Sequence, residues 1–376
     1  MNNFTLIKTD ENSKARAGVL KTDHSEIETP VFMPVGTLGT VKGIEQRELK
    51  NIDTRILLGN TYHLYLRPGN DVIKHFGGLH KFMNWDSSIL TDSGGYQVFS
   101  LQDIRKIDKN GVEFKSHIDG SKHYFSPESV IETQRILGSD IMMVLDECVP
   151  YPSDKKYVAD SIELSLDWAK KCKEYWLKKG PMWDHNQMLF GIGQGGMYHD
   201  LRKEYIERMV DIGFDGYAIG GLSVGEPNEI MYEFADLSTE ILPENQPRYL
   251  MGVGTPVDIL ENIERGIDMF DCVMPTRNAR NGQLFTTRGK INIKNKKYQL
   301  SNEVIDENID SYASNNFSLG YLRHLFIAGE SLALIIASQH NIAFYLWLAK
   351  TAREKILAGE FTSWKKEFLE NYNRKD

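Results

Sequence analysis

Cysteine is scarce: Cys148, Cys172 and Cys272 are the only three in 376 residues. Their spacing suggests no pairing, which excludes a disulfide framework and fits a reducing compartment. Long apolar runs are lacking too. The best candidate for a membrane span, around residues 331–348, is interrupted by Gln339, His340 and Asn341, so it falls short of the roughly 18 apolar residues expected of a span. The opening Met1-Asn2-Asn3-Phe4 shows no basic stretch followed by an apolar one, so no secretory signal is read there. Low-complexity tracts and short repeats are also missing. These absences together lead to the expectation of a cytoplasmic protein that uses no membrane. Positive charge is not in excess either. A formal net charge of −8 argues against a protein that coats nucleic acid indiscriminately, although binding depends on where the charges sit.

What is present is an ordinary globular composition, 41% hydrophobic and 26% charged, enough for a large core. Between Thr286 and Leu300 stand Arg288, Lys290, Lys294, Lys296 and Lys297 with no acidic residue. That stretch reads either as a solvated basic loop or as a local surface for a polyanion.

Short apolar runs recur along the first three quarters of the chain: Thr29–Val35, Arg55–Gly59, Ser88–Leu90, Asp140–Leu145, Leu189–Ile192, Tyr217–Ile219, Arg248–Gly252 and Met269–Met274. Helical segments separate most of them. Ser153-Asp154 is placed to cap a helix with the stripe Val158, Ile162, Leu166, Ala169, Cys172 and Trp176, ending at Gly180. Thr255-Pro256 supplies a cap and a first-turn proline before Ile259, Leu260, Ile263 and Ile267. Eight strands alternating with helices predict a parallel α/β barrel, with a doubly wound sheet as the alternative. A barrel takes about 250 residues, so an appendage is expected after Met274.

The strand ends carry the chemistry. Asp92, Asp146, Gln194, Gly221 and Met251-Gly252 follow the third to seventh runs, and Asp271 lies within the eighth. In a barrel these ends converge on one mouth, so carboxylates, an amide and bare backbone would meet in one pocket. Gly191-Ile-Gly-Gln-Gly-Gly196 matches G-x-G-x-x-G, with Asp215 nineteen residues on. It falls at the fifth strand, too late for a dinucleotide fold, and its glycines are read as letting a flat ligand approach the backbone beside Gln194. Asp92-Ser93-Gly94-Gly95-Tyr96 sets an acid beside an aromatic platform. Asp146 with Gln194 would offer acceptor and donor groups to the edge of a purine-like heterocycle. Asp271, among apolar neighbours, needs a partner or a role. Arg277 and Arg280 follow it closely, placed to hold phosphates or read unstacked bases.

Together, Asp92-Ser-Gly-Gly-Tyr-Gln-Val-Phe-Ser, Gln194-Gly-Gly, Ala218-Ile-Gly-Gly-Leu-Ser-Val-Gly-Glu226, Tyr249-Leu-Met-Gly-Val-Gly-Thr-Pro and the segment Phe270–Phe285 resemble the signatures of the bacterial queuine tRNA-ribosyltransferase (tRNA-guanine transglycosylase) family, in its order and spacing, from about Ala15 to about Leu348. The resemblance implies a (β/α)8 TIM-type barrel with a C-terminal helical appendage in place of the family's zinc subdomain. The expected divisions are residues 1–285 for most of the catalytic barrel, 286–340 for the basic segment and the zinc-free subdomain, and 341–376 for a helical segment packing on the barrel.

It also implies a pentosyltransferase of the queuosine pathway, exchanging guanine 34 of tRNAs with G-U-N anticodons (Asp, Asn, His, Tyr) for 7-aminomethyl-7-deazaguanine through a covalent ribosyl-aspartate. By resemblance, Asp271 is the nucleophile and Asp92 the general acid/base. Ser93, Gly94, Gly95, Tyr96, Asp146 and Cys148 fall at base-binding positions, as do Gln194, Gly221, Leu222, Val224 and Met251. Gly252, Val253, Gly254, Thr255, Pro256, Val257 and Asp258 form one tRNA-contacting segment; Thr276, Arg277, Asn278, Ala279 and Arg280 form another. Val224 stands where queuine-using relatives carry glycine, which implies the small aminomethyl base. No catalytic metal or cofactor is implied. The family's structural zinc, held by C-x-C-x2-C and a later histidine, meets Ile309, Ser311, Ser314 and His340 here. One imidazole cannot make a four-coordinate site, so loss of the zinc is expected, with Tyr312, Phe317, Tyr321, Leu322 and Leu325 packing the subdomain instead. A homodimer is implied, with Phe82, Phe317, Tyr321 and His324 either at its interface or in ordinary core packing. The competing readings are a non-catalytic tRNA-binding subunit, against which both aspartates argue, and a barrel glycosidase, against which the basic stretch and the arginines argue.

Overall fold

A computed structural model describes residues 3–100 and 105–374. In chain order its strands are β1 (Phe4–Thr9), β2 (Arg16–Lys21), β3 (Glu26–Thr29), β4 (Val31–Met33), β5 (Ile56–Gly59), β6 (Ser88–Thr91), β7 (Arg105–Asp108), β8 (Gly111–Lys115), β9 (Lys122–Phe125), β10 (Ile141–Met143), β11 (Met188–Gly193), β12 (Gly216–Ile219), β13 (Arg248–Leu250), β14 (Met269–Asp271), β15 (Gln283–Thr286) and β16 (Gly289–Asn292). Eight of them, β4, β5, β6 and β10 to β14, form one parallel sheet in sequence order. β4 pairs with β14 through Val31↔Met269, Phe32↔Phe270 and Met33↔Asp271. The Val35↔Leu58 bridge joins the β4 end to β5 and closes the barrel, with Gly36 N–H donating to the Leu58 carbonyl at 2.7 Å. All eight apolar runs of the sequence are these eight strands.

The strands β5, β6 and β10 to β13 are buried at every position, as expected of parallel strands covered on both faces. The two helices read from their caps are present. Helix Lys155–Lys179 starts at Asp154, whose carboxylate accepts from Tyr157 N–H, and stops at Gly180. Helix Pro256–Glu264 starts at Thr255, whose hydroxyl accepts from Asp258 N–H.

The antiparallel sheet β1–β2–β3 covers the barrel end at which the strands begin. Arg16 on β2 reaches Asp268, just before β14, at 3.0 and 2.5 Å, with almost no exposure on either side chain. Thr22 and Ser88 share a hydroxyl hydrogen bond of 2.8 Å. A second antiparallel sheet, β7–β8–β9, is inserted after β6, and the hairpin β15–β16 follows the barrel.

Helix Ser331–Ala358 holds the appendage to the barrel. Its first turns bury Ala333, Ile336 and Ala337 in a small cluster with Leu284, Ile293, Leu322 and Leu325, while Phe344, Tyr345 and Leu348 pack in the main core. This helix corrects one expectation: an 18-residue window within it is long and apolar enough to cross a membrane, and 67% of that window is buried inside the fold. The division expected at 340/341 falls within this helix, and that at 285/286 falls within β15.

Candidate active site

The C-terminal strand ends open into a cleft of about 420 Å³, where barrel enzymes place their chemistry. Asp92, Tyr96, Asp146, Gln194, Val224 and Asp271 all line it, as do Ser93, Gly94, Cys148, Gly221, Leu222, Met251, Gly252 and Arg277. Gly95 lies just behind, its N–H donating to the Ser93 hydroxyl at 3.1 Å.

Asp271 ends β14. Its Oδ1 accepts from the Tyr249 hydroxyl at 2.6 Å and from Gly252 N–H at 2.8 Å. Burial raises the pKa of this carboxyl, and the two donors work against that rise. Tyr249 is itself held neutral, its pKa driven far up by burial and by the Asp271 charge. Both donors converge on Oδ1, leaving Oδ2 as the oxygen available to an electrophile.

Asp92 follows β6 in a different setting. Its Oδ2 accepts from Asn60 Nδ2 at 2.6 Å and Gln97 Nε2 at 2.8 Å, and its Oδ1 from Thr61 N–H at 2.8 Å. Burial outweighs these donors and, with the Asp271 charge nearby, lifts its pKa to about 6. A carboxyl poised there exchanges a proton near neutral pH, while a carboxylate held by a tyrosine and an amide suits attack.

Asp146, beyond β10, accepts from Gln194 Nε2 at 2.6 Å and Ser93 Oγ at 3.2 Å. Burial raises its pKa to about 6 against these donors. Gln194, on the β11 end, thereby turns Oε1 toward the turn after β12, where Gly221 sits at φ 66°. A Cβ on Gly221 would overlap that oxygen, so glycine is required both by the backbone and by the close approach. Glu226 accepts from the N–H groups of Ser223 and Val224, fixing the turn that carries Val224 into the cleft. Tyr96 lies at the rim with 58% of its surface exposed, open to a stacking partner.

Three residues that hold the acids escaped the sequence analysis: Asn60, Gln97 and Tyr249. Asn60 directly follows β5, so the rule that singled out the other strand-end polar residues applied to it as well. Tyr249 is fully buried, and a buried tyrosine hydroxyl calls for a partner; only its position beside β14 reveals which. The glycines of Gly191–Gly196 need correcting. Added side chains at Gly191 and Gly195 would meet Phe214, Met209 and the backbone of Arg202, so these glycines seat a helix, and Gly220 and Gly221 are the glycines that lie against the Gln194 amide.

The two segments read as RNA contacts divide by exposure. Gly252, Arg277 and Arg280 are exposed at the mouth, and Thr255, Val257 and Asn278 are half-buried. Val253, Gly254, Pro256, Asp258, Thr276 and Ala279 are buried, which turns their side chains to packing and capping; Asp258, for one, accepts from Tyr232 at 2.5 Å and Asn228 at 3.0 Å. The five basic side chains of 286–300 are all exposed.

At the expected zinc positions, Ser311 and Ser314 share a hydroxyl hydrogen bond of 2.6 Å, Ser314 Oγ lies 2.8 Å from His340 Nδ1, and His340 Nε2 lies 2.8 Å from the Phe285 carbonyl. Because a carbonyl only accepts, the proton is on Nε2 and Ser314 donates to Nδ1. Burial lowers the His340 pKa to about 4. Both ring nitrogens are engaged and Ile309 is hydrocarbon, so this donor set does not fit zinc. Of the residues expected to pack here, Leu322 and Leu325 are buried, whereas Tyr312 and Tyr321 are 64% and 43% exposed. Phe317 stacks on Tyr321 and meets Tyr312 edge-on, and His324 is exposed. Phe317 is half-buried against the small appendage cluster, while Tyr312, Tyr321 and His324 stand on the surface beside it.

A family model described as Queuine tRNA-ribosyltransferase matches residues 10–374. Among curated relatives, the Queuine tRNA-ribosyltransferase of Caldanaerobacter subterraneus subsp. tengcongensis is 56% identical, covering 98% of this chain and 97% of its own. The protein of that name from Solidesulfovibrio magneticus is 53% identical over 97% and 96%, and that from Lawsonia intracellularis 52% over 98% of each. Matched along nearly its whole length by that family model and by these relatives, the chain belongs to the queuine tRNA-ribosyltransferase family.

Proposed function

We propose that this protein is a tRNA-guanine transglycosylase that exchanges guanine 34 of tRNAs with G-U-N anticodons for 7-aminomethyl-7-deazaguanine. The observation that carries the reading is the pair of carboxylates, Asp92 buried and Asp271 half-buried, facing one cleft from different hydrogen-bond settings. Asp271 Oδ2 attacks C1′ of the target nucleotide as the glycosidic bond to guanine breaks, giving a ribosyl-aspartate ester. Asp92, whose raised pKa of about 6 keeps a fraction of it protonated close to neutral pH, gives its proton to the leaving guanine. The incoming base then attacks C1′, Asp271 departs as carboxylate, and Asp92 takes up the proton released by the new base. Two displacements restore the original configuration.

Asp146 and Gln194 grip the edge of the base, Tyr96 stacks on it, and Val224 limits what its 7-substituent can carry. The exposed Arg277, Arg280 and basic hairpin favour the tRNA backbone. Further parts of the reading are a homodimer through Phe82, Phe317, Tyr321 and His324, a subdomain that holds without zinc, and a cytoplasmic location.

Incorporation of labelled guanine into unmodified G-U-N tRNA tests the reading. Wild type should label position 34 and form an RNA adduct that survives a denaturing gel, and Asp271→Ala should do neither. Bound tRNA with no incorporation by wild type would make this an accessory subunit. An adduct persisting in Asp271→Ala would refute the nucleophile.

A further inference from the structure

The barrel end opposite the cleft carries a group of residues that base exchange does not use. Three of the ten histidines of the chain gather there: His24 on the β2–β3 turn, His80 on helix Leu79–Met83, and His185 in the segment leading into β11. One ring nitrogen from each lies within 4.8 Å of one from each of the others. His24 and His80 are stacked with centroids 3.9 Å apart, and His185 meets them edge-on at 4.7 and 5.6 Å.

Hydrogen bonds sort the nitrogens. His24 Nδ1 lies 2.6 Å from Asp140 Oδ1. His80 Nε2 lies 3.2 Å from Asp140 Oδ2 and 3.2 Å from the Ser87 carbonyl. His185 Nε2 lies 2.8 Å from the Gly138 carbonyl. Carboxylate and carbonyl oxygens accept, so each of these nitrogens bears the proton. The lone pairs are left on His24 Nε2, His80 Nδ1 and His185 Nδ1, and no donor among the described residues meets them. An imidazole that donates one N–H to a carboxylate or carbonyl, with its other nitrogen bare, is set up as a metal ligand with its tautomer already chosen; the stacked His24 and His80 rings must turn for their in-plane lone pairs to meet on one ion.

The frame around the rings is fixed without their help. Asp140 is fully buried and also accepts from Ile89 N–H at 2.8 Å. Asn186 donates to Asp23 Oδ2 through its N–H at 2.7 Å and Nδ2 at 3.0 Å, tying the His185 segment to the His24 turn. Trp183 Nε1 donates to the Ile136 carbonyl at 3.0 Å. His24 and His185 are half-buried, as is His80, leaving a path for an ion from solvent.

We propose that His24, His80 and His185 bind one divalent transition-metal ion of the zinc class at the N-terminal end of the barrel, with the fourth position open to water. Three neutral imidazoles suit such an ion over magnesium or calcium, which take oxygen. A tetrahedral site with Zn–N near 2.1 Å sets its nitrogens about 3.4 Å apart, so binding would draw the three rings together from the present arrangement, in which one nitrogen of each lies within 4.8 Å of one from each of the others. The ion would clip the β2–β3 turn, helix Leu79–Met83 and the β11 approach together at the face where barrels carry stability. It stands apart from the Ser311–Ser314–His340 group and is independent of the proposed reaction.

Full-length protein stripped with a chelator and titrated with Zn2+ alone tests this. Saturable binding of one ion per chain is expected, with a rise of a few degrees in melting temperature. His24→Gln and His185→Gln should each lose the binding at least tenfold, while Ser311→Ala keeps it. Wild type loaded with Co2+ should show the visible d–d bands of a nitrogen- and oxygen-ligated tetrahedral centre. No saturable Zn2+ binding, binding that survives both histidine substitutions, or a thiolate-to-cobalt charge-transfer band would each overturn the proposal.

Discussion

Replacing Asp146 with asparagine should make the ligand-free protein more stable, in a pH-dependent way. The Asp146 pKa stands at about 6 in the fold, against 3.8 for an ordinary aspartate. Folding therefore favours its protonated form, the reverse of a salt-bridged carboxylate. Between pH ~4 and ~6 the folded chain holds a proton that the unfolded chain has released, so stability falls as pH rises through this window and levels off above it. The rise corresponds to about 3 kcal/mol once both states are ionised, with about half of that already present at pH 5. Asparagine removes the cost while keeping the partners: its Oδ1 can accept from Gln194 Nε2, and its Nδ2 can donate to Ser93 Oγ, whose hydroxyl turns freely. For a chain of 376 residues, about 3 kcal/mol is worth roughly 4 °C in Tm. Calorimetry at pH 7.5 and pH 5 should show the gap between variant and wild type shrinking by about half at the lower pH. Base affinity should fall at least tenfold in the same variant, since a charge-assisted acceptor is lost. A variant less stable than wild type at pH 7.5, or a gap that does not change with pH, would refute the assignment of Asp146 as a buried carboxyl strained for binding.

Tyr249→Phe removes the 2.6 Å donor to Asp271, which should move the acidic limb of the kcat/KM profile up by about 1–2 pH units without unfolding the protein; an unchanged limb would separate Tyr249 from the nucleophile. Val224→Gly should admit bases with larger 7-substituents, read as at least a tenfold gain in queuine incorporation with the aminomethyl base little affected, and no gain would place the size limit elsewhere. Arg16→Met leaves the buried Asp268 with only Arg248 N–H at 2.7 Å, and should cost about 3–5 kcal/mol in chemical denaturation; a loss below 1 kcal/mol would show that the pair does not tie the N-terminal sheet to the barrel.

The strands were legible because parallel barrel strands are buried on both faces and read as short apolar runs, and polar residues at their ends stand out against them. Asp92, Asp146, Gln194 and Asp271 are found that way, and the cleft brings them together. Helix Lys155–Lys179 was readable from its cap, stripe and terminal glycine, all of which act over a few residues. Helix Ser331–Ala358 was less so: the polar Gln339, His340 and Asn341 that interrupt its apolar run include two, His340 and Asn341, whose partners are the Ser314 hydroxyl and backbone groups of Pro275 and Phe285.

The sequence by itself determined the eight barrel strands and the polar residues Asp92, Asp146, Gln194 and Asp271 at their ends, because these rest on local periodicity and on residue types, while its motifs carried the family resemblance. Tertiary structure alone decided how each acid is tuned. Asn60 reaches Asp92 because β5 lies beside β6, and Tyr249 reaches Asp271 because β13 lies beside β14. It also decided that Ser311, Ser314 and His340 close into a hydrogen-bonded chain, and that His24, His80 and His185, far apart in sequence, meet around Asp140. A hydrogen bond or a shared ion depends on distances of a few ångströms between segments, and closure of the barrel sets those distances, not the spacing along the chain.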